Sequence, residues 1–143
     1  MTKDTKQVIV IRRDLKMRRG KEIAQGSHAS LAFLTRKQVY QKIDNSGFPI
    51  EIPSSYYANS SCVLSEAEYH WLNSSFAKIT LQVPDLESLM DLHGKAQGLG
   101  LESHLITDAG RTEFDGVPTV TCLAIGPDWC DKIDEVTKTL KLY

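Results

Sequence analysis

VIVIRRDLKMRRGKEIAQGSHASL, residues 8–31, sets the architecture. It begins inside an unbroken β-branched run, residues 7–12, of the kind that fills a strand buried on both faces. The polar stretch RRDLKMRRG ends that strand and leads into a helix. From residue 21 to about residue 44 there is no Pro, and Gly occurs only at Gly26. Ile23, Ser27, Leu31 and Leu34 recur at helical spacing, so a long helix with a narrow apolar stripe is expected there. Ala24, Gly26, Ser27, Ala29, Ser30 and Ala32 permit close packing of this helix on a sheet. A buried strand feeding a helix is the start of an α/β arrangement.

The rest of the chain extends that pattern. Residues 45–64, NSGFPIEIPSSYYANSSCVL, hold two Pro and many Ser and Asn, and open an irregular excursion over about residues 45–76 rather than a linker between domains. Ser65-Glu-Ala-Glu68 matches a capping box, so a short helix carrying Tyr69, Trp71 and Leu72 is expected after it. Ala77, Ile79, Leu81 and Val83 alternate with polar neighbours as a half-buried strand does, and Pro84 stops it. Asp85 is placed to cap a helix over residues 86–97, with Leu86, Leu89, Met90 and His93 on one face and Gly98 or Gly100 closing its end. Residues 103–107 and 119–125 read as two further strands joined by the turn-rich DAGRTEFDGVP, and the tail from Asp128 carries Ile133, Val136 and Leu140 at helical spacing. The order β-α-(α)-β-α-β-β-α predicts one α/β domain over residues 1–143, a three-layer sandwich with a mixed sheet of about four strands.

Composition narrows the function classes. A length of 143 residues with 41% hydrophobic content suits one core. The apolar runs are far shorter than the roughly 18 residues of a membrane span, and the start MTKDTKQ lacks the apolar middle of a signal peptide, so a cytoplasmic protein is expected. Cys62, Cys122 and Cys130 form no CxxC pair and read as reduced thiols. His28, His70, His93 and His104 are scattered without ligand spacing, so no metal site is expected. Residues 1–21 hold eight of the 17 Lys and Arg against Asp4 and Asp14 alone, a local balance of +6, which leaves about −7 for the remainder. Such a patch suits a polyanion docked at one place, and it is equally the pattern of a solvated basic N-terminal segment.

Two constellations can carry chemistry. Lys21, Gln25 and His28 fall at i, i+4 and i+7 and share an arc of roughly 60° on the first helix. A lysine in a first turn opposes the helix dipole. The free backbone N–H groups and the cation together suit a phosphate or a developing oxyanion. The plainer reading is a solvated lysine and a packing histidine. Asp108-Ala-Gly-Arg-Thr112 offers a carboxylate, a guanidinium and a hydroxyl within five residues as the chain leaves a strand. It is a site for a water or a lysine, or an ordinary Asx turn. Thr119 and Thr121 alternate along the following strand and point to the same face.

Taken together, VIVIRRDLKMRRGKEIAQGSHASL, FAKITLQV, GLESHLITDAGRT and TCLAIGPDWCDKIDEVTKTLKLY cover about two-thirds of the chain. In this order they resemble the type 2 peptidyl-tRNA hydrolase family, the archaeal and eukaryotic kind that also occurs in some bacteria and phages. GKxxAQxxHA followed by DAGRT, IGP and a closing LKLY is specific as a set. The resemblance implies a mixed four-stranded sheet packed by helices, a homodimer, no metal or other cofactor, and hydrolysis of the ester between peptide and tRNA. Under it Lys21, Gln25, His28, Asp108, Thr112 and Thr121 match the family's active-site positions.

The chain has neither a GxSxG elbow nor a Cys/His nucleophile motif, which favours direct attack by water. Asp108 then positions or deprotonates the water and Lys21 stabilises charge, while Gln25, His28, Thr112 and Thr121 hold the ester and the terminal ribose. Sequence leaves the base open among Asp108, His28 and a neutral Lys21. Arg12, Arg13, Lys16, Arg18 and Arg19, with Arg111 further on, are the expected tRNA phosphate contacts; Arg12, still within the strand's alternation, is the one with the alternative of pointing into the sheet or a dimer contact. Two features depart from the family pattern. EFDGVP replaces a shorter APG-like turn. The excursion is also longer, and it holds seven of the 11 aromatics counting Tyr40, as a tRNA-stacking surface, a dimer contact or, the favoured reading, local packing. The competing functions are a catalytically idle binding module of the same fold and a deacylase for a different acyl-tRNA.

Overall fold

The computed structural model describes residues 3–37, 40–43, 55–58 and 62–143. Strand β1 (Thr5–Arg12) is buried along its length except at Lys6, as its β-branched run requires, and it lies at the centre of a five-stranded sheet. With β4 (Lys78–Val83), β5 (Ser103–Asp108), β6 (Thr119–Trp129) and β7 (Lys141–Leu142), the order across the sheet is β5-β6-β1-β4-β7. The β1–β4 pair is parallel, with Val8 opposite Ile79, and the other pairs are antiparallel.

Alternate residues of β1 supply two different cores, the period-2 consequence of a strand covered on both sides. Val8 and Val10 join Leu81, Leu89, Leu92, Leu123 and Ile133 beneath α3 (Leu86–Gly98) and α4 (Cys130–Thr137). Ile9 and Ile11 join Met17, Ala29, Ala32, Cys122 and Ala124 beneath α1 (Arg19–Thr35). Helix α2 (Glu66–Asn73) packs on the α1 side through Trp71, whose ring meets Phe33 edge-on at 5.8 Å and lies 4.5 Å from Phe76. Trp71 is therefore local core. Phe48 lies outside the described residues.

The helix caps form as the sequence indicates. Ser65 and Glu68 make the reciprocal capping box, and the Asp85 carboxylate accepts from the Ser88 backbone N–H at 2.8 Å.

Other expectations need correction. The sheet has five strands rather than about four, because the chain after α4 turns back and adds β7 to the free edge of β4. Leu140 consequently lies beyond the helix that ends at Thr137. Helix α1 ends at Thr35 instead of near residue 44, since β2 (Tyr40–Ile43) pairs antiparallel with β3 (Ser55–Ala58). The faces of two helices are rotated from those expected. On α1, Gln25, Ala29, Ala32 and Phe33 are buried, whereas Ile23 and Leu31 are 64% and 55% exposed. On α3, Leu89, Leu92 and Ala96 face the core, and Leu86 and Met90 are exposed. On α1 small alanines hold the close contacts, and they weigh little in a pattern of large apolar residues; on α3 the core face is set by Leu92 and Ala96 beside Leu89.

Candidate active site

Helix α1 crosses the β5–β6 end of the sheet, so its inward polar residues reach the point where β5 stops at Asp108. Asp108 Oδ1 accepts from Lys21 Nζ at 2.9 Å and from Gln25 Nε2 at 3.1 Å, while Oδ2 accepts from the Gly110 backbone N–H at 2.8 Å. Lys21 Nζ also donates to Thr112 Oγ1 at 3.1 Å. On the buried side, Thr121 Oγ1 donates to Gln25 Oε1 at 2.6 Å, in a setting where Gln25 is 3% and Thr121 0% exposed. One chain of hydrogen bonds thus runs from the sheet through Thr121, Gln25, Asp108 and Lys21 to Thr112. Its direction fixes the Gln25 amide, whose oxygen must face Thr121 and whose nitrogen must face Asp108.

The Lys21 and Asp108 side chains are each 14% exposed, so the pair sits at an edge that water still reaches. The hydrogen bond from Lys21, supported by those from Gly110 and Gln25, holds the Asp108 carboxyl below the usual carboxylate range against the opposing effect of burial. Helix α1 has no side-chain cap at Arg18, so the open N–H groups of its first turn add positive potential beside Lys21.

The loop after β5 is shaped by Gly110. Its φ is +81°, and a Cβ there would lie 2.4 Å from the Val117 carbonyl oxygen, so only glycine fits this approach. A 3-10 turn, Phe114–Gly116, folds back so that the Gly116 N–H reaches the Gly110 carbonyl at 2.9 Å. Phe114 packs against the core beneath α1, and its ring centroid lies 5.8 Å from Lys21 Nζ. Glu113 forms an ion pair with Arg18 at 3.0 Å. No sequence pattern singles out Glu113 or Phe114, although both lie in EFDGVP, the loop that departs from the family pattern.

Of the sequence-predicted site residues, Lys21, Gln25, Asp108, Thr112 and Thr121 come together. His28 lies on the same arc of α1 but is exposed, and among the described residues no hydrogen bond joins it to the group. The basic strip divides. Arg12 is buried and donates to Asp14 at 3.1 and 2.6 Å and to the Val120 carbonyl at 2.8 Å, which braces β1 against β6 and removes it from the surface strip. Lys16, Arg18, Arg19 and Arg111 are exposed. Arg13, also exposed, stacks on the Tyr143 ring at 4.3 Å, and the Tyr143 hydroxyl donates to Glu22. Tyr143 closes the LKLY motif, but no local pattern in the sequence ties it to Arg13 and Glu22.

The opposite side of α1 faces a groove of about 810 Å³ between the helix and strands β1 and β4, lined by Ile9, Ile23, Gly26, Leu31, Phe76 and Thr80 among others.

The family described as Peptidyl-tRNA hydrolase PTH2 matches residues 5–143. A protein of Methanopyrus kandleri named peptidyl-tRNA hydrolase is 43% identical over 138 residues, covering 96% of this chain and 97% of its own. Two eukaryotic relatives are longer. The probable peptidyl-tRNA hydrolase 2 of Dictyostelium discoideum is 40% identical over 98% of this chain and 55% of its own. The mitochondrial peptidyl-tRNA hydrolase 2 of Mus musculus is 38% identical over 96% and 63%.

Proposed function

The chain belongs to the peptidyl-tRNA hydrolase PTH2 family, and on that premise we propose that it cuts the ester joining a peptide to the 3′ end of tRNA by direct attack of water at Lys21 and Asp108. The observation that carries this reading is the 2.9 Å pair itself, bound to Gln25 and Thr112 at a solvent-reached edge of the sheet. A carboxylate that orients water and a cation that meets developing negative charge are the two groups ester hydrolysis requires.

Asp108 Oδ2 accepts one backbone hydrogen bond and keeps lone-pair capacity for a water. Its lowered proton affinity makes Asp108 an orienting group more than a strong base. As the water oxygen adds to the ester carbon, charge gathers on the carbonyl oxygen and then on the leaving ribose oxygen, where Lys21 Nζ meets it. The carbon–oxygen bond to ribose breaks. The water's hydroxyl remains on the peptide carboxyl and its proton passes to the ribose oxygen. Thr112 and His28 hold the ester and ribose, and the buried Thr121 acts through Gln25 as a positioning residue. Lys16, Arg18, Arg19 and Arg111, with Arg13 at the far side of the helix start, meet backbone phosphates.

The same reading makes the enzyme a cytoplasmic homodimer that needs no metal, with Lys21 supplying the positive charge beside the carboxylate. No helix among the described residues is long and apolar enough to cross a membrane. The test is release of acyl group from N-acetylated aminoacyl-tRNA in EDTA. Full turnover there, with free aminoacyl-tRNA left intact, is expected. Metal-dependent turnover would overturn the mechanism, and equal cleavage of the free aminoacyl ester would make the protein a general deacylase.

A further inference from the structure

We propose that Glu113 sets the affinity for tRNA. It holds the Arg18 guanidinium in the free enzyme and yields it to a backbone phosphate of the bound acceptor end. This inference rests on the reading above that Arg18 meets phosphate.

The geometry favours an exchange rather than a fixed tie. Arg18 lies three residues before Lys21, its side chain is 79% exposed, and its Nε donates to Glu113 Oε1 at 3.0 Å. Carboxylate and phosphate are the two anions whose oxygens fit a guanidinium fork, so they compete for the same donors. Glu113 itself is only 17% exposed and is held in place by its loop. The loop closes through Gly116 to Gly110 and Val117 to Phe114 at 2.9 Å each, and Phe114 is seated against the core. The acid is therefore fixed and the base is free to swing. An ion pair this open on the arginine side contributes little to stability, so a phosphate displaces the carboxylate easily.

Displacement leaves the Glu113 charge close to the incoming phosphate. A phosphate bound to a free arginine releases its condensed counterion, but here the freed carboxylate takes up a cation in return. Glu113 thus weakens binding and flattens its salt dependence. The same loop bonds Asp108 through Gly110, which keeps this exchange next to the reacting ester.

The experiment measures KM for N-acetylated aminoacyl-tRNA against salt in the wild type, Glu113→Gln, Glu113→Ala, Arg18→Ala and the double variant Arg18→Ala/Glu113→Gln. Each Glu113 variant should lower KM about threefold at low salt and steepen the salt slope by a fraction of one, with kcat changing less than KM. Arg18→Ala should raise KM and flatten the slope, and in that background Glu113→Gln should lower KM clearly less than it does in the wild type. If Arg18→Ala leaves KM and slope unchanged, the phosphate reading of Arg18 falls. If Arg18→Ala weakens binding but the Glu113 variants do not tighten it, or tighten it equally without Arg18, the exchange falls and the phosphate reading stands.

Discussion

The two sides of α1 depart from the usual rule for a surface helix, although Ala29, Ala32 and Phe33 are buried as that rule expects. Toward β5 and β6 it turns Lys21 and Gln25, whose polar atoms close a chain with Thr121, Asp108 and Thr112. Toward β1 and β4 it turns Ile23, Gly26, Ser27 and Leu31 onto an open groove of about 810 Å³. Helices ordinarily bury the apolar stripe and show the polar one. Burying Gln25 is tolerable only because each of its side-chain atoms has a partner, and among the described residues no buried side-chain polar atom lacks one. The polar side is thus complete within one chain, and the apolar side is left open to solvent.

The largest effects should come from breaking the polar side. Lys21→Ala and Asp108→Ala should each lower kcat/KM about 100-fold or more, as expected when a charge partner of the transition state or the group orienting water is lost. The double variant should lose less than the product of the two single losses, since both act on one transition state. Near-wild-type rates for both variants would move the active site off this face of α1.

How much of this was legible in sequence depended on how local the cause was. Lys21 and Gln25 share a face by spacing alone, and Asp108 marks a strand end by its glycine turn. The caps at Ser65 and Asp85 are likewise set within four residues. The Thr121–Gln25 bond joins residues 96 apart, and no local pattern encodes it. The end of α1 is not encoded locally, because residues 40–43 pair with 55–58 and that pairing outweighs helix propensity. Arg12 is expected among the phosphate contacts, yet of that strip it is the residue that still lies within the strand's alternation. It is kept inside by Asp14 and by a β6 carbonyl that only the fold brings near.

A smaller change tests the buried end of the chain. Thr121→Val keeps the shape and removes the hydroxyl that donates to Gln25 Oε1, leaving a buried carbonyl unsatisfied. A loss of about 1–3 kcal/mol in denaturant unfolding is expected. With Gln25 free to turn away from Asp108, kcat should fall about tenfold while KM changes little. A stability loss with unchanged kcat would make Thr121 structural only.

The Asp108 titration gives a subtler signature. Its carboxyl is held below the usual range, so the stabilisation it contributes is present above the unfolded pKa and disappears as pH falls through the lower folded value. The acid limb of kcat/KM should therefore lie below the ordinary carboxylate range. In Lys21→Ala, whose missing hydrogen bond is the main cause of the shift, the residual activity should lose rate at higher pH than the wild type does. A limb that stays in place would assign it to another group.

The least change in rate is expected from the apolar side. Ile23 and Leu31 are exposed in the single chain, and a groove of that kind suits a second copy presenting the same surface, as the proposed homodimer requires. Leu31→Glu and Ile23→Glu should fold normally, since neither side chain is in the core and exposed substitutions usually stay within about 0.5 kcal/mol. At a two-fold contact each variant would bury two carboxylates against apolar surface, a desolvation that such an interface does not recover. Sedimentation should then show a wild-type dimer and a variant monomer at micromolar concentration. The catalytic group lies across the helix, so kcat should fall less than about threefold. A wild-type monomer, or a dimer indifferent to both changes, would place any self-association elsewhere. A large loss of kcat on dissociation would instead mean that the two sides of α1 are coupled, with the second copy steadying the helix that carries Lys21.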